Sequence, residues 1–199
     1  MLHAIGDSHV EHIFKGFGMR IDHVGPVTLR RIVNPEEQLL YKKFKVITTR
    51  DIVFLSFGEI DVRCHIPQIL ADRSIDPKKY METLAEDYAV AINAANINKA
   101  QIVIVSLPPP AKHGKSNDTN FPAGGTQEER VKYTRMLNRE IHDQCYVNKY
   151  IYLDMYTPFA NKEGVLDIPN TKDYVHIDSP AIVEQLLMYH GFISRKRRD

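Results

Sequence analysis

The features that most constrain the fold are two short, wholly apolar segments, IVFL at residues 52–55 and IVIV at residues 102–105. Neither segment alternates with polar residues, as a strand with one face in water would. Such segments are typical of parallel β-strands that are covered by other layers on both faces. Weaker strand candidates lie at residues 2–5, 27–32 and 151–153, so the sequence predicts five strands.

Helix-start signals lie between these segments. Asn34, Asp76 and Ser179 each precede a proline, and a capping side chain before a first-turn proline is typical of a helix start. Thr126 is followed three residues later by Glu129, which is the pattern of a capping box. Strands that alternate with helices predict an α/β fold, a three-layer α/β/α sandwich around a five-stranded parallel sheet in the order 2-1-3-4-5.

Composition argues against several classes of protein. The chain has 199 residues, and its 26 Lys and Arg are balanced by 25 Asp and Glu, so it lacks the basic field of a nucleic-acid-binding protein. Its 2 cysteines are too few for a disulfide framework. No apolar stretch is long enough for a signal peptide or a membrane span. We therefore expect a cytoplasmic protein with one domain at residues 1–194, a basic tail at residues 195–199, and no membrane or nucleic-acid partner. The sequence leaves the oligomeric state open.

Polar residues follow the predicted strands at the sheet edge where open parallel sheets bind ligands. The three blocks are GDSH at residues 6–9, GEID at residues 58–61 and DYVH at residues 173–176. A serine hydroxyl becomes a good nucleophile when an imidazole removes its proton, and a carboxylate fixes the tautomer of that imidazole. Ser8, His176 and Asp173 are therefore candidate catalytic residues.

Taken singly, these residues have ordinary structural explanations. A serine after a strand is most often a helix cap, Asp173 and His176 fit a surface loop, and Gly58 fits a turn. Their joint position at the strand ends favours a catalytic role over these structural explanations. The backbone amides of Ser8 and Gly58 would then donate to an oxyanion, because Ser8 begins a helix and glycine leaves its amide accessible.

The order of the blocks resembles that of the SGNH or GDSL hydrolases, in which Gly-Asp-Ser ends the first strand and Asp-x-x-His precedes the final helix. The resemblance covers nearly the whole chain and implies the flavodoxin-like SGNH hydrolase fold. It also implies that Ser8 is the nucleophile, His176 the general base and acid, and Asp173 its orienting partner, with the amides of Ser8 and Gly58 in the oxyanion hole. Such a site carries its own nucleophile and base, so we expect no cofactor and no metal.

One position departs from the family pattern. The third block of the family is usually Gly-x-Asn-Asp, whereas this chain has Ile60 in place of the asparagine donor. Losing one oxyanion donor typically lowers turnover by roughly a hundredfold to a thousandfold. Arg63 and His65 are the nearest candidate replacements.

The segment FGEIDVR at residues 57–63 looks like a subgroup of SGNH-like proteins associated with polysaccharide metabolism. With a polar rim at residues 108–125, this resemblance suggests an acetylated carbohydrate or another small ester as substrate. Candidate substrate contacts are Asp7, Glu59, Asp61 and His113. Alternatively, Glu59, Asp61 and Arg63 form a salt-bridge network that braces the loop.

Three other functions remain open. The chain could transfer an acyl group to a sugar, or bind carbohydrate with little turnover. A metallophosphoesterase would use Asp7 and His9 as its first metal ligands, but that class needs an Asn-His-Glu or Asn-His-Asp block, which the chain lacks. His9 and His12 fall one turn apart on the first helix, a spacing that would suit a pair of metal ligands, but we expect both to be exposed or capping residues.

Overall fold

The computed structural model describes residues 1–112 and 121–194. Its centre is a five-stranded sheet in the order β2-β1-β3-β4-β5, and each neighbouring pair of strands is parallel. The strands are β1 (Leu2–Gly6), β2 (Arg20–His23), β3 (Ile52–Ser56), β4 (Gln101–Val105) and β5 (Ile151–Leu153). The predicted strand order and the α/β/α class are confirmed. The predicted basic tail, residues 195–199, lies outside the described residues.

Helices cover both faces of the sheet. They are α1 (His9–Phe14), α2 (Leu29–Ile32), α3 (Leu39–Phe44), α4 (Ile66–Arg73), α5 (Pro77–Ala95), α6 (Gln127–Asn148) and α7 (Pro180–Tyr189). A π-helical turn, Asp61–His65, precedes α4, and a 3₁₀ turn spans Ile168–Asn170. None of the helices in the described ranges is long and apolar enough to cross a bilayer.

Two hydrophobic cores explain why the central strands carry no polar alternation. Val53 and Leu55 of β3 belong to one core, which includes Met81 of α5. Phe54, which points the other way, belongs to a second core with Phe14 of α1 and residues of α7. Since both faces of β3 are buried, every side chain along it is apolar until the strand ends.

Three of the four predicted capping signals mark helix starts. The Asp76 carboxylate accepts hydrogen bonds from the first amides of α5, and Thr126 with Glu129 forms the capping box of α6. Helix α7 begins at Pro180, directly after Ser179. Asn34 instead closes a turn by accepting from the amide of Glu36 at 3.1 Å, and α3 begins later, at Leu39.

The prediction of a strand at residues 27–32 was wrong. The Thr28 hydroxyl accepts from the amide of Arg31 at 3.2 Å, and this cap starts α2 within the segment. The second strand is Arg20–His23, an edge strand whose residues are exposed or half-buried. Because it has one neighbour and no apolar run, its sequence carries little strand signal.

Candidate active site

Gly6 sets the position of the residues that follow β1. A Cβ atom at Gly6 would lie 2.3 Å from the Ser56 carbonyl oxygen and 2.6 Å from Val10 Cγ1. Both distances are far shorter than van der Waals contact, so only glycine allows β1 to lie this close to β3 and α1. The chain can then turn directly into α1, which places Ser8 at the N-cap of that helix.

A hydrogen-bonded relay joins the two ends of the chain. Ser8 Oγ lies 2.7 Å from His176 Nε2, although the residues are 168 positions apart in sequence. His176 Nδ1 lies 2.6 Å from Asp173 Oδ2. An ionised carboxylate only accepts, so Nδ1 carries a proton and donates it. Nε2 of the neutral ring is then free to accept the Ser8 hydroxyl proton, as a general base must.

The turn that carries Asp173 and His176 holds the carboxylate in its charged form. Asp173 Oδ1 accepts from the backbone amides of Val175 at 2.9 Å and His176 at 2.8 Å. Partial burial raises the pKa of Asp173, but the amide and ring of His176 outweigh it and hold that pKa well below its usual range. Asp173 therefore stays ionised throughout the pH range in which His176 titrates.

Two backbone amides are available for an oxyanion. Ser8 and Gly58 each lie two residues beyond the paired strand ends Gly6 and Ser56. Among the described residues, neither amide donates to a protein acceptor. Gly58 has a φ of 109°, which favours glycine, and Leu107 lies against the position that a Cβ would occupy. The arrangement can place two hydrogen-bond donors at the carboxyl ends of β1 and β3.

The residues expected to replace the missing asparagine donor have different surroundings. Ile60 is buried and apolar, so it offers no side-chain donor. Arg63 donates through Nε to Glu59 at 2.6 Å and through Nη1 to the Phe121 carbonyl at 3.0 Å. These two bonds argue against Arg63 as an oxyanion donor. His65 is half-buried, and its role as an oxyanion donor stays a prediction.

Three of the four expected substrate contacts are buried and already have partners within the protein. Asp61 is fully buried and accepts from the amides of Leu29 at 2.5 Å and Arg30 at 3.3 Å, so it caps α2. Burial raises the pKa of Asp61 to about 7.

Asp7 and Glu59 are also buried and already bound. Asp7 is 1% exposed and Glu59 7% exposed; Asp7 binds His9 and Glu59 binds Arg63. The bracing salt bridge is therefore the Glu59–Arg63 pair, without Asp61. The fourth expected contact, His113, lies outside the described residues.

Both ends of the predicted rim, residues 108–125, are fixed to the framework. The Arg63 carbonyl accepts from the Gly124 amide at 2.7 Å, and Arg130 Nη1 donates to the carbonyls of Gly124 and Gly125 at 2.8 and 2.9 Å. At the other end, the Pro110 carbonyl accepts from the Leu166 amide at 3.0 Å. The π-helical turn thus supports the segment that returns from the rim to α6.

Two histidines flank the candidate base. The ring of His12 stacks on that of His176 at a centroid distance of 4.0 Å, and the ring of His9 lies at 4.7 Å, tilted by 45°. His12 is exposed, as expected. The expectation for His9 was wrong, since it is 1% exposed and its ring faces Asp7 and the Val175 carbonyl instead of capping a helix. The sequence shows a histidine next to the serine but gives no sign that the turn at Val175 folds over it.

In the part of the chain that the structure describes, one group of side chains could hold a metal ion. His12, Asp173 and His176 offer ligand atoms that all lie within 4.8 Å of one another. Both ring nitrogens of His176 already face Ser8 or Asp173, so an ion coordinated there would replace a bond of the relay. Asp7 and His9, the first ligands of the metallophosphoesterase hypothesis, bind each other at 3.0 Å instead.

Comparisons with known proteins establish the fold. No protein-family profile matches the chain, and no curated protein is similar to it in sequence. Solved structures are similar. A GDSL-like lipase from Bacteroides thetaiotaomicron superposes with a TM-score of 0.61 at 16% identity, over 95% of this chain and 85% of the lipase. For phospholipase A1 from Streptomyces albidoflavus the TM-score is 0.57 at 14% identity, over 95% of this chain and 97% of the phospholipase.

The same comparison finds the C-terminal domain of the Drosophila Oskar protein, with a TM-score of 0.60 at 10% identity, over 96% of this chain and 87% of that domain. At such identities the similarity establishes the fold, and the residues at the site must decide the chemistry. The chain therefore has the fold of the GDSL-like lipases.

Proposed function

We propose that this protein is a serine ester hydrolase of the SGNH or GDSL type, in which Ser8, His176 and Asp173 form the catalytic triad. The observation that carries the proposal is the continuous relay from Ser8 Oγ through both ring nitrogens of His176 to Asp173. Helix capping does not explain this relay, because Ser8 makes no side-chain cap hydrogen bond to α1. The fold adds support, since similar structures include lipases and a phospholipase.

The geometry supports a two-step reaction. Ser8 Oγ attacks the ester carbonyl carbon while His176 Nε2 takes the hydroxyl proton, and the amides of Ser8 and Gly58 stabilise the resulting oxyanion. The intermediate collapses as His176 returns the proton to the departing alcohol, which leaves an acyl group on Ser8. Water then attacks this acyl-enzyme with His176 again as base, and the carboxylic acid and the free Ser8 hydroxyl are released.

The proposed substrate is an O-acetylated carbohydrate. One support is the resemblance of residues 57–63 to the polysaccharide-associated subgroup. The other is the polar composition of the rim, where Nζ of half-exposed Lys112 lies 3.5 Å from Glu163 Oε2. An acyl-enzyme on Ser8 can also pass its acyl group to a sugar hydroxyl instead of water. The substrate is tested with acetylated sugars and long-chain esters side by side, and cleavage of long-chain esters alone would contradict this proposal.

The triad is tested by p-nitrophenyl acetate hydrolysis. We expect wild-type activity to survive excess EDTA and to fall at least about a thousandfold in Ser8→Ala. Ser179→Ala is the matched control, because Ser179 also precedes a helix and makes no side-chain cap hydrogen bond. Activity that persists in Ser8→Ala but is lost in EDTA would overturn the serine mechanism in favour of a metal-dependent one.

A further inference from the structure

The two ring nitrogens of His9 both face oxygen atoms that only accept hydrogen bonds. Nδ1 lies 3.0 Å from Asp7 Oδ1, and Nε2 lies 3.3 Å from the Val175 carbonyl oxygen. A neutral imidazole carries one N–H and can satisfy only one of these acceptors. The doubly protonated, positively charged ring satisfies both. The geometry therefore favours an imidazolium at position 9.

The charges around His9 lead to the same assignment. Asp7 and Glu59 place two buried carboxylates near the ring, and Arg63 supplies one buried cation. Glu59 Oε2 is buried without a hydrogen-bond partner among the described residues, so its charge is incompletely compensated by Arg63. Burial lowers the pKa of His9, but Asp7 foremost, and then Glu59, outweigh it and raise that pKa to about 9. A charged His9 balances the two carboxylates against two cations.

His9 also contacts the turn that carries the base. Its Nε2 binds the carbonyl of Val175, the residue before His176, so the ring fixes the end of the Asp173–His176 turn against α1. Within residues 1–112 and 121–194, the charged and titratable groups that face His176 are His9 and His12 from α1 and Asp173 from its own turn. A fixed positive charge at 4.7 Å between ring centroids opposes a second positive charge on His176.

We propose that His9 is a positioning residue of the active site, a buried imidazolium that anchors the catalytic turn and keeps His176 in its neutral, proton-accepting form in mildly acidic solution. This inference rests on the proposed function, because it assigns His176 as the base. It separates the roles of three adjacent residues: Ser8 reacts, His9 sets the charge state of the base, and Asp7 holds His9. Burial and the charge of His9, opposed by Asp173, lower the pKa of His176.

The protonation state is tested directly by NMR of histidines labelled with nitrogen-15. In the wild type we expect His9 to remain an imidazolium from pH 5 to 8, with both ring nitrogens protonated, while His176 titrates below its ordinary value. A neutral His9 at pH 7 would overturn the inference. This measurement needs no substrate and no variant, so it decides the matter even where a substituted protein fails to fold.

The kinetic test is the rate at which a fluorophosphonate labels Ser8 as a function of pH, for wild type, His9→Gln and His12→Gln. Glutamine keeps a hydrogen-bond donor but carries no charge. We expect the acid limb of labelling to move up by about one pH unit in His9→Gln, which lowers the rate about tenfold at pH values below both limbs. The shift should be smaller in His12→Gln, because His12 is exposed and solvent screens its charge.

A uniform loss of rate in His9→Gln with an unmoved acid limb would overturn the inference, because an anchoring role alone would not change the charge state of His176. A larger shift in His12→Gln than in His9→Gln would do the same. If wild-type Ser8 is not labelled at all, the proposed function fails, and the NMR titration still decides the state of His9.

Discussion

At the residue scale, the first block combines packing and chemistry in neighbouring positions. Gly6 is required because β1 lies against Ser56 and Val10 with no room for a Cβ. Ser8 is then free to face His176 across the start of α1. The sequence alone does not separate a glycine that is needed for packing from a serine that is proposed to react, because both belong to one motif. Substituting them should have different effects, on stability for Gly6 and on activity for Ser8.

Gly6→Ala is expected to destabilise the fold by about 3 kcal/mol, because the new methyl group overlaps backbone and side-chain atoms that cannot both move. The free energy of unfolding in urea measures the effect. Gly16→Ala is the control, since a Cβ at Gly16 meets no atom within 4 Å and only its positive φ of 93° is strained. Gly6 itself does not have a positive φ, so a cost at Gly6 no larger than that at Gly16 would show that close packing does not select glycine there.

The proposed hydrolysis should depend on pH through His176. Burial, together with the charge of His9, lowers the pKa of His176 below its ordinary 6.5, so the ring stays neutral at pH 7 and becomes protonated only in more acidic solution. We expect kcat/KM to be level near neutral pH and to fall through a single limb below pH 6.5. Measurement of p-nitrophenyl acetate hydrolysis from pH 4 to 8 checks this, and a half-maximal rate above pH 7 would contradict it.

At the element scale, the third block attaches one element to another. Asp61 lies in the π-helical turn after β3 and caps α2, which is far from it in sequence. This contact was not predictable, because a carboxylate after a buried strand has the same sequence signature whether it faces substrate or the amides of a helix. The same holds for the second strand: Arg20–His23 lacks an apolar run, whereas the apolar residues Val27, Leu29 and Ile32 lie at and within the capped helix α2.

Asp61→Ala should cost about 1 to 3 kcal/mol, because it leaves the buried amide of Leu29 and the part-buried amide of Arg30 without their acceptor. Asp76→Ala is the matched control: that carboxylate caps α5 at an exposed site, where water replaces the lost bonds and the cost should be about 1 kcal/mol. Urea denaturation of both variants tests the order. A smaller cost at Asp61 than at Asp76 would refute the capping role.

At the scale of the whole molecule, the strand order brings distant parts of the chain together. Strands β1 and β3 are neighbours at the centre of the sheet, so the blocks after them meet, and α7 packs in the same core as α1, which places the Asp173–His176 turn over Ser8. That Ser8, His176 and Asp173 meet was predictable, because apolar strands, caps and block order all specify this one topology. The histidine arrangement around it was not, because it depends on how a loop packs over α1.

The buried Asp7–His9 pair should also make the stability of the molecule depend on pH. The pKa of His9 rises from 6.5 in the unfolded chain to about 9 in the folded protein. A group with a raised folded pKa binds its proton more tightly when folded, so its stabilising contribution is complete below pH 6.5 and is lost as the pH rises to 9. His9→Gln should therefore cost more at pH 6 than at pH 9, and the difference should be at most about 3 kcal/mol. Urea denaturation of wild type and variant at pH 6, 7.5 and 9 measures it; a cost that stays constant or grows with pH would mean that His9 is neutral in the folded protein.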